Sequence, residues 1–133
     1  GAGMAAVFAA GADGIQMGTR FVSSKESPVH INFKNKILES NIDGTLMLNK
    51  SSKPVIRALK SELTHSIDKK GMMDMADFMK IQELYFDGNM EAAPALSGQS
   101  VGLINEIKTV KQIIEEIIND FNKVCKKMGN TKF

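Results

Sequence analysis

Apolar residues recur at helical spacing most clearly late in the chain. Val110, Ile113, Ile114, Ile117, Ile118, Phe121 and Val124 keep an i, i+3, i+4 rhythm against a face of Lys111, Glu115, Glu116, Asp120 and Lys123. Thr109 and Gln112 stand at capping-box spacing before this run, so the pattern predicts one long amphipathic helix with a polar tail, 126–133, that frays. At the other end, Gly3 to Ala10 is small and apolar on nearly every side, which suits a helix packed closely against a sheet, and Gly11 suits its left-handed C-terminal position. Ile15 to Met17 then reads as a short buried strand running into a helical start at Thr19. Ser27-Pro28 supplies a cap and a first-turn proline for a helix ending near Glu39, with Val29, Phe33 and Ile37 spaced by fours.

The middle of the chain is more broken. Polar residues between Asn41 and Lys53 leave only Thr45 to Leu48 as an extended piece. Pro54 is expected to open a helix that places Val55, Ile56, Leu59 and Leu63 on one face. After a break at Asp68-Lys69-Lys70-Gly71, a second amphipathic segment carries Met75, Phe78, Met79 and Leu84. Asp87-Gly88-Asn89 and Ala93-Pro94 bracket an irregular crossing. In the apolar run Leu96 to Ile104, Gly98 and Gly102 suggest main chain passing close to something. A strand at Ile15 to Met17 needs neighbours for its backbone groups, and only Thr45 to Leu48 offers one. The pattern therefore predicts an α/β chain that is the C-terminal part of a larger protein.

Composition narrows the class. The chain has 133 residues, 43% of them hydrophobic, enough for an ordinary core. Its 17 basic and 15 acidic residues are scattered, with no basic stripe, a single tyrosine and no tryptophan, which argues against a nucleic-acid partner. No apolar run approaches the roughly 20 residues a membrane span needs, so no membrane partner is expected. The lone cysteine, Cys125, fits a reducing, cytoplasmic setting and has no histidine beside it to make it a nucleophile.

The segment Gly11-Ala12-Asp13-Gly14-Ile15-Gln16-Met17-Gly18-Thr19-Arg20-Phe21 carries the chemistry. Gly18 lets an anion reach the main chain with no Cβ in the way, Thr19 adds an amide and a hydroxyl, and the next helical turn adds the positive end of its dipole. That is a phosphate-binding device, although an ordinary strand-to-helix turn has the same local pattern. His30 and His65 lack ligand spacing to another histidine, cysteine or carboxylate and read as capping or surface residues; no metal is expected. Arg20 could face an anion or make a structural ion pair. The methionines between Met72 and Met90 could form an adaptable surface, with core filling the commoner use.

Around the glycine turn the sequence resembles the nitronate monooxygenases, formerly 2-nitropropane dioxygenases, and the related FMN-dependent enoyl-ACP reductases. Gly3-Met4-Ala5-Ala6-Val7 and the segment from Gly11 to Phe21 are similar to that family's seventh helix and eighth strand. Ser24 to His30 with Asn32 and Lys34, Lys69-Lys70-Gly71, Asp87 to Glu91 and Leu96 to Ile104 resemble the family's C-terminal region. The resemblance implies the C-terminal portion of a TIM (β/α)8 barrel with part of a smaller, mainly helical second domain. Residues 1–40 would hold the last barrel units, 41–105 the smaller domain or cap, and 106–133 the helix packing back on the protein. It further implies FMN, its phosphate on Met17, Gly18 and Thr19 beside Gln16, with Ser97, Gly98 and Gln99 near the flavin. The catalytic base would lie in a missing N-terminal barrel half, so no catalytic residue is expected in this chain and the segment alone should be inactive. The substrate would be a small molecule, alkyl nitronates oxidised with molecular oxygen. The alternative is enoyl-ACP reduction with a nicotinamide donor; Lys69-Lys70-Gly71 and Asp87 to Glu91 look more like the monooxygenase branch. The family reading leaves room for a homodimer. A reading of another class is a noncatalytic helical interaction module.

Overall fold

A computed structural model describes residues 1–131. In chain order the elements are α1 (Ala2–Ala9), α2 (Thr19–Val22), α3 (Ile31–Glu39), β1 (Thr45–Leu48), β2 (Ile56–Leu59), α4 (Glu62–Lys70) and α5 (Ala76–Met79), then a π-helical turn at Glu83–Asp87, a 3-10 turn at Gln99–Leu103, and α6 (Val110–Gly129). The chain is α/β with few strands and forms two compact units: Gly1–Met17 with the chain from Lys108 onward, and Gly18–Ile107.

In the first unit α1 lies on α6, where the sequence pattern predicts a sheet. Its small residues allow a close approach: a Cβ at Gly1 would collide with Asp120, and the Phe8 and Phe121 rings meet edge to face at 5.6 Å. Gly11 closes α1 at φ +97, in the left-handed region a glycine adopts freely. The expected strand Ile15 to Met17 is extended chain without a ladder, because among the described residues no strand lies beside it, and Ile15 stays exposed. The capping box of Thr109 and Gln112 is formed, and α6 stays helical through Gly129 where the polar tail predicts fraying from Lys126. Lys132 and Phe133 lie outside the described residues.

The second unit holds the core. Phe33 and Ile37 of α3 are fully buried with Leu59, Leu84, Ala93, Val101 and their neighbours, while Leu48, Ala58 and Ile67 form a smaller cluster nearby. α3 starts at Ile31 with His30 as its cap, and not at Ser27-Pro28. The His30 main-chain N–H donates to the Tyr85 carbonyl at 2.6 Å, and the buried Lys34 ammonium donates to the Ser27 carbonyl at 2.8 Å, which holds 27–29 out of the helix. His30 Nδ1 then accepts the Asn32 N–H at 3.1 Å, the capping role that its lack of ligand spacing suggests. Burial pushes the Tyr85 phenol above its ordinary pKa, so the ring that meets Phe33 at 5.4 Å stays neutral at working pH.

The helix expected from Pro54 is instead the second strand of a hairpin. β1 and β2 pair antiparallel from Thr45 opposite Leu59 to Leu48 opposite Ile56. Asn49 turns the chain: at φ 61 it donates through Nδ2 to the Pro54 carbonyl at 2.9 Å and accepts the Met73 N–H on Oδ1 at 3.3 Å. That return places Ile56 to Leu59 where β1 satisfies its backbone, and Ala58 and Leu59 are buried. Helix begins only at Ser61, whose hydroxyl and Thr64 make a capping box, and stops at Gly71 (φ +78). The segment after it is two short turns and not one amphipathic helix: Leu84 is buried, but Met75 and Met79 are each 78% exposed.

Gly88 shows how tightly the core closes. It sits at φ +76, and a Cβ there would run into the His30 ring, whereas a Cβ at Gly71, also at positive φ, would meet nothing within 4 Å. Gly88→Ala is therefore expected to lose more stability than Gly71→Ala. The Gly71 change should cost about 1 kcal/mol from backbone strain, the Gly88 change at least ~2 kcal/mol, read as midpoints of urea unfolding. Equal losses would mean that the His30 contact does not constrain position 88.

Candidate phosphate-binding site

The third segment of the small sheet places this site. On the edge of β2 away from β1, the Leu59 N–H donates to the Ala95 carbonyl at 2.8 Å and the Ser97 N–H donates to the Arg57 carbonyl at 3.1 Å, around a bridge between Ala58 and Leu96. Ala93, Pro94 and Ala95 are buried, so this small-residue stretch packs as sheet edge where sequence alone assigns it only an irregular crossing. It delivers Ser97 and Gly98 to the start of α2.

There the Gly98 N–H donates to Thr19 Oγ1 at 2.9 Å, and the Ser97 hydroxyl donates to the same oxygen at 3.4 Å. A threonine hydroxyl has two acceptor lone pairs and one proton. With those lone pairs engaged, the Thr19 proton is the part of the hydroxyl available to a ligand as a donor. Gly18 stands at φ −100 and a Cβ there would meet nothing within 4 Å, so neither its conformation nor protein packing demands glycine. Open space over the main chain is what an approaching anion needs. Among the described residues, no protein oxygen accepts from the N–H groups of Gly18, Thr19 or Arg20.

Other expected residues fall around this point in different ways. Gly98 is present, but its N–H is already spent on Thr19, so it positions that hydroxyl and offers no amide of its own. Ser97 is buried; Gln99 is exposed and begins the 3-10 turn, where it lines a pocket of about 360 Å³ with Ile42, Ser100, Gly102 and Leu103. Gly102 does pass close to main chain, since a Cβ there would meet the backbone of Asn41 and Ile42. Gln16 is exposed and Met17 half-buried on the extended chain of the first unit. Arg20 makes no contact toward the amides: its guanidinium donates to the Glu106 carbonyl at 2.9 Å and to Ser23 Oγ at 3.1 Å, a structural brace. The Thr19 to Gly98 bond has no signal in the sequence, because 79 residues separate the two and the edge strand that joins them has no strand-like pattern.

Among the described residues there is no group of histidine, cysteine and carboxylate side chains placed to hold a metal, and no helix is long and apolar enough to cross a membrane. The donors at the turn, main-chain N–H groups and a hydroxyl, suit a small anion.

A family model described as nitronate monooxygenase matches residues 1–120. The chain belongs to the nitronate monooxygenase family. It is 25% identical to a probable nitronate monooxygenase of Staphylococcus saprophyticus, over 93% of this chain and 37% of that one. It is 27% identical to a (3aS,4S,5R,7aS)-5-hydroxy-7a-methyl-1-oxo-octahydro-1H-indene-4-carboxyl-CoA dehydrogenase of Rhodococcus jostii, over 97% of this chain and 49% of the relative. Among solved structures it is similar to FabK from Thermotoga maritima, with 37% identity, a TM-score of 0.90, and coverage of 96% of this chain and 43% of that one. The chain thus spans less than half the length of these relatives. It is a member of an enzyme family, and its relatives include oxidoreductases.

Replacing Thr19 by valine keeps its shape and removes the acceptor that holds Gly98. We expect Thr19→Val to cost about 0.5–1.5 kcal/mol in urea unfolding, the net worth of a hydrogen bond whose exposed amide can turn to water, while Thr19→Ser costs less than half as much. A valine variant as stable as the parent would mean that the tie does not organise the turn.

Proposed function

We propose that the chain supplies the FMN-phosphate end of a flavin-dependent TIM-barrel oxidoreductase, with residues 1–40 as its last barrel units. The observation that carries this reading is the pairing of unclaimed amides at Gly18 and Thr19 with a Thr19 hydroxyl whose proton is free to donate. These donors fit a phosphate dianion, and the family relation suggests whose phosphate it is. Gln16 and Met17, next in the chain, would extend the contact, with Ser97 and Gln99 toward the flavin ring. FMN, when bound, would supply the electron transfer. The residues of this chain bind and orient: the Gly18 and Thr19 N–H groups hold the phosphate oxygens, and Ser97 and Gly98 keep the Thr19 hydroxyl turned toward them. No catalytic base is assigned within the chain.

For the substrate we favour an enoyl thioester, reduced with a nicotinamide donor, because identity to FabK, an enoyl-ACP reductase, exceeds identity to the probable nitronate monooxygenase, 37% against 25%. On that support we rank the reductase ahead of the nitronate oxidation that the sequence motifs put first. Nitronate oxidation remains the second reading, supported by the family model over residues 1–120.

Two assays on the full-length protein reconstituted with FMN separate the readings. Anaerobic NADH oxidation that depends on a crotonyl thioester is expected, with no nitronate-dependent oxygen uptake. Oxygen uptake with an alkyl nitronate and no reaction of the thioester would reverse the choice, and a protein inert in both would remove the enzymatic reading.

A further inference from the structure

Gly102 is the second glycine of the apolar run Leu96 to Ile104, and neighbouring backbone explains why it carries no side chain. A Cβ there would stand 2.6 Å from the Asn41 carbonyl carbon, 2.8 Å from the Ile42 Cα and closer still to the Ile42 nitrogen. These are main-chain atoms, about 1 Å nearer than an ordinary contact allows, so no side chain can swing aside to relieve them. The surface they belong to is itself fixed. The Gly44 and Asp43 N–H groups donate to the Asn41 carbonyl at 2.9 Å and to Asn41 Oδ1 at 3.0 Å, and the Lys60 N–H donates to the Gly44 carbonyl at 2.9 Å, which fastens that turn to the chain leaving β2.

The 3-10 turn that rests on this surface leads straight to the candidate site. Val101 is fully buried and Ile104 nearly so, and the Val101 N–H donates to the Gly98 carbonyl at 3.2 Å, so the 98–104 segment moves as one piece. Ser97 is held on the other side by the Arg57 carbonyl. Gly98 is the joint between the two, and its hold on Thr19 is one hydrogen bond in an exposed setting. That bond is the weakest of these holds. An atom added at Gly102 that lifts the turn by about 1 Å and passes the shift to Gly98 takes the 2.9 Å bond beyond hydrogen-bonding range.

We propose that Gly102 is a positioning residue for the phosphate site: its bare Cα seats the 3-10 turn on the Asn41–Ile42 main chain at the height that lets Gly98 hold the Thr19 hydroxyl. The inference rests on the phosphate reading of Gly18 and Thr19. It extends that reading to a residue whose route to the phosphate runs only through the hydroxyl.

The test uses the full-length protein as Gly102→Ala, with Gly71→Ala as a control that strains the backbone away from the site. Hydrogen exchange at the Gly98 amide is followed by NMR, and affinities of the apoproteins for FMN and riboflavin are measured by quenching of flavin fluorescence. Gly102→Ala should speed Gly98 exchange and lower the preference for FMN over riboflavin about tenfold, roughly 1.4 kcal/mol, while Gly71→Ala changes neither. In a Thr19→Val background, Gly102→Ala should leave the preference where the valine change alone puts it, because the hydroxyl it acts through is gone. Unchanged Gly98 exchange, an equal fall in preference for Gly71→Ala, or a further fall in the valine background would each overturn the proposal. Val101→Ala loosens the same turn without adding an atom and must move both readouts in the same direction, so it decides the matter if Gly102→Ala does not fold. A parent protein that binds FMN and riboflavin alike would end the phosphate reading, while Gly98 exchange still decides whether Gly102 seats the turn.

Discussion

One polar contact organises the candidate site: the 2.9 Å bond from the Gly98 N–H to Thr19 Oγ1. It joins two segments far apart in sequence, and each reaches the contact for its own physical reason. Ser97 and Gly98 arrive because the outer edge of β2 needs hydrogen-bond partners and takes them from Ala95 and Ser97. Thr19 arrives at the head of a four-residue helix, which the Arg20 guanidinium braces against the Glu106 carbonyl. Removing the hairpin would therefore disturb the site without touching any residue in it.

This dependence explains which parts of the molecule could be read from sequence. Elements defined by local chemistry were legible: the small-residue helix closed by Gly11, the extended piece Thr45 to Leu48, the break at Gly71, and α6 with its Thr109 and Gln112 cap. At Gly18 and Thr19 the open main chain and the hydroxyl that the sequence suggests do stand side by side. Elements decided by distant partners were not legible. Val55 to Leu59 has apolar spacing that suits a helix or a strand, and the turn at Asn49 with β1 waiting beside it chose the strand. Ser27-Pro28 carries strong local cap chemistry, but the Tyr85 carbonyl and the Lys34 ammonium hold that segment away and pass the cap to His30.

Around Thr19 the donors are few and fixed, as suits a small anion of definite geometry.

The central claim is that main-chain N–H groups and one oriented hydroxyl at Gly18 and Thr19 grip a phosphate. Comparing the affinities of the full-length apoprotein for FMN and riboflavin, by quenching of flavin fluorescence, tests it most directly because the two ligands differ only in that group. Even two of these three donors, as charge-assisted hydrogen bonds, predict FMN binding at least roughly 100-fold tighter than riboflavin. Equal affinity for the two would contradict the account.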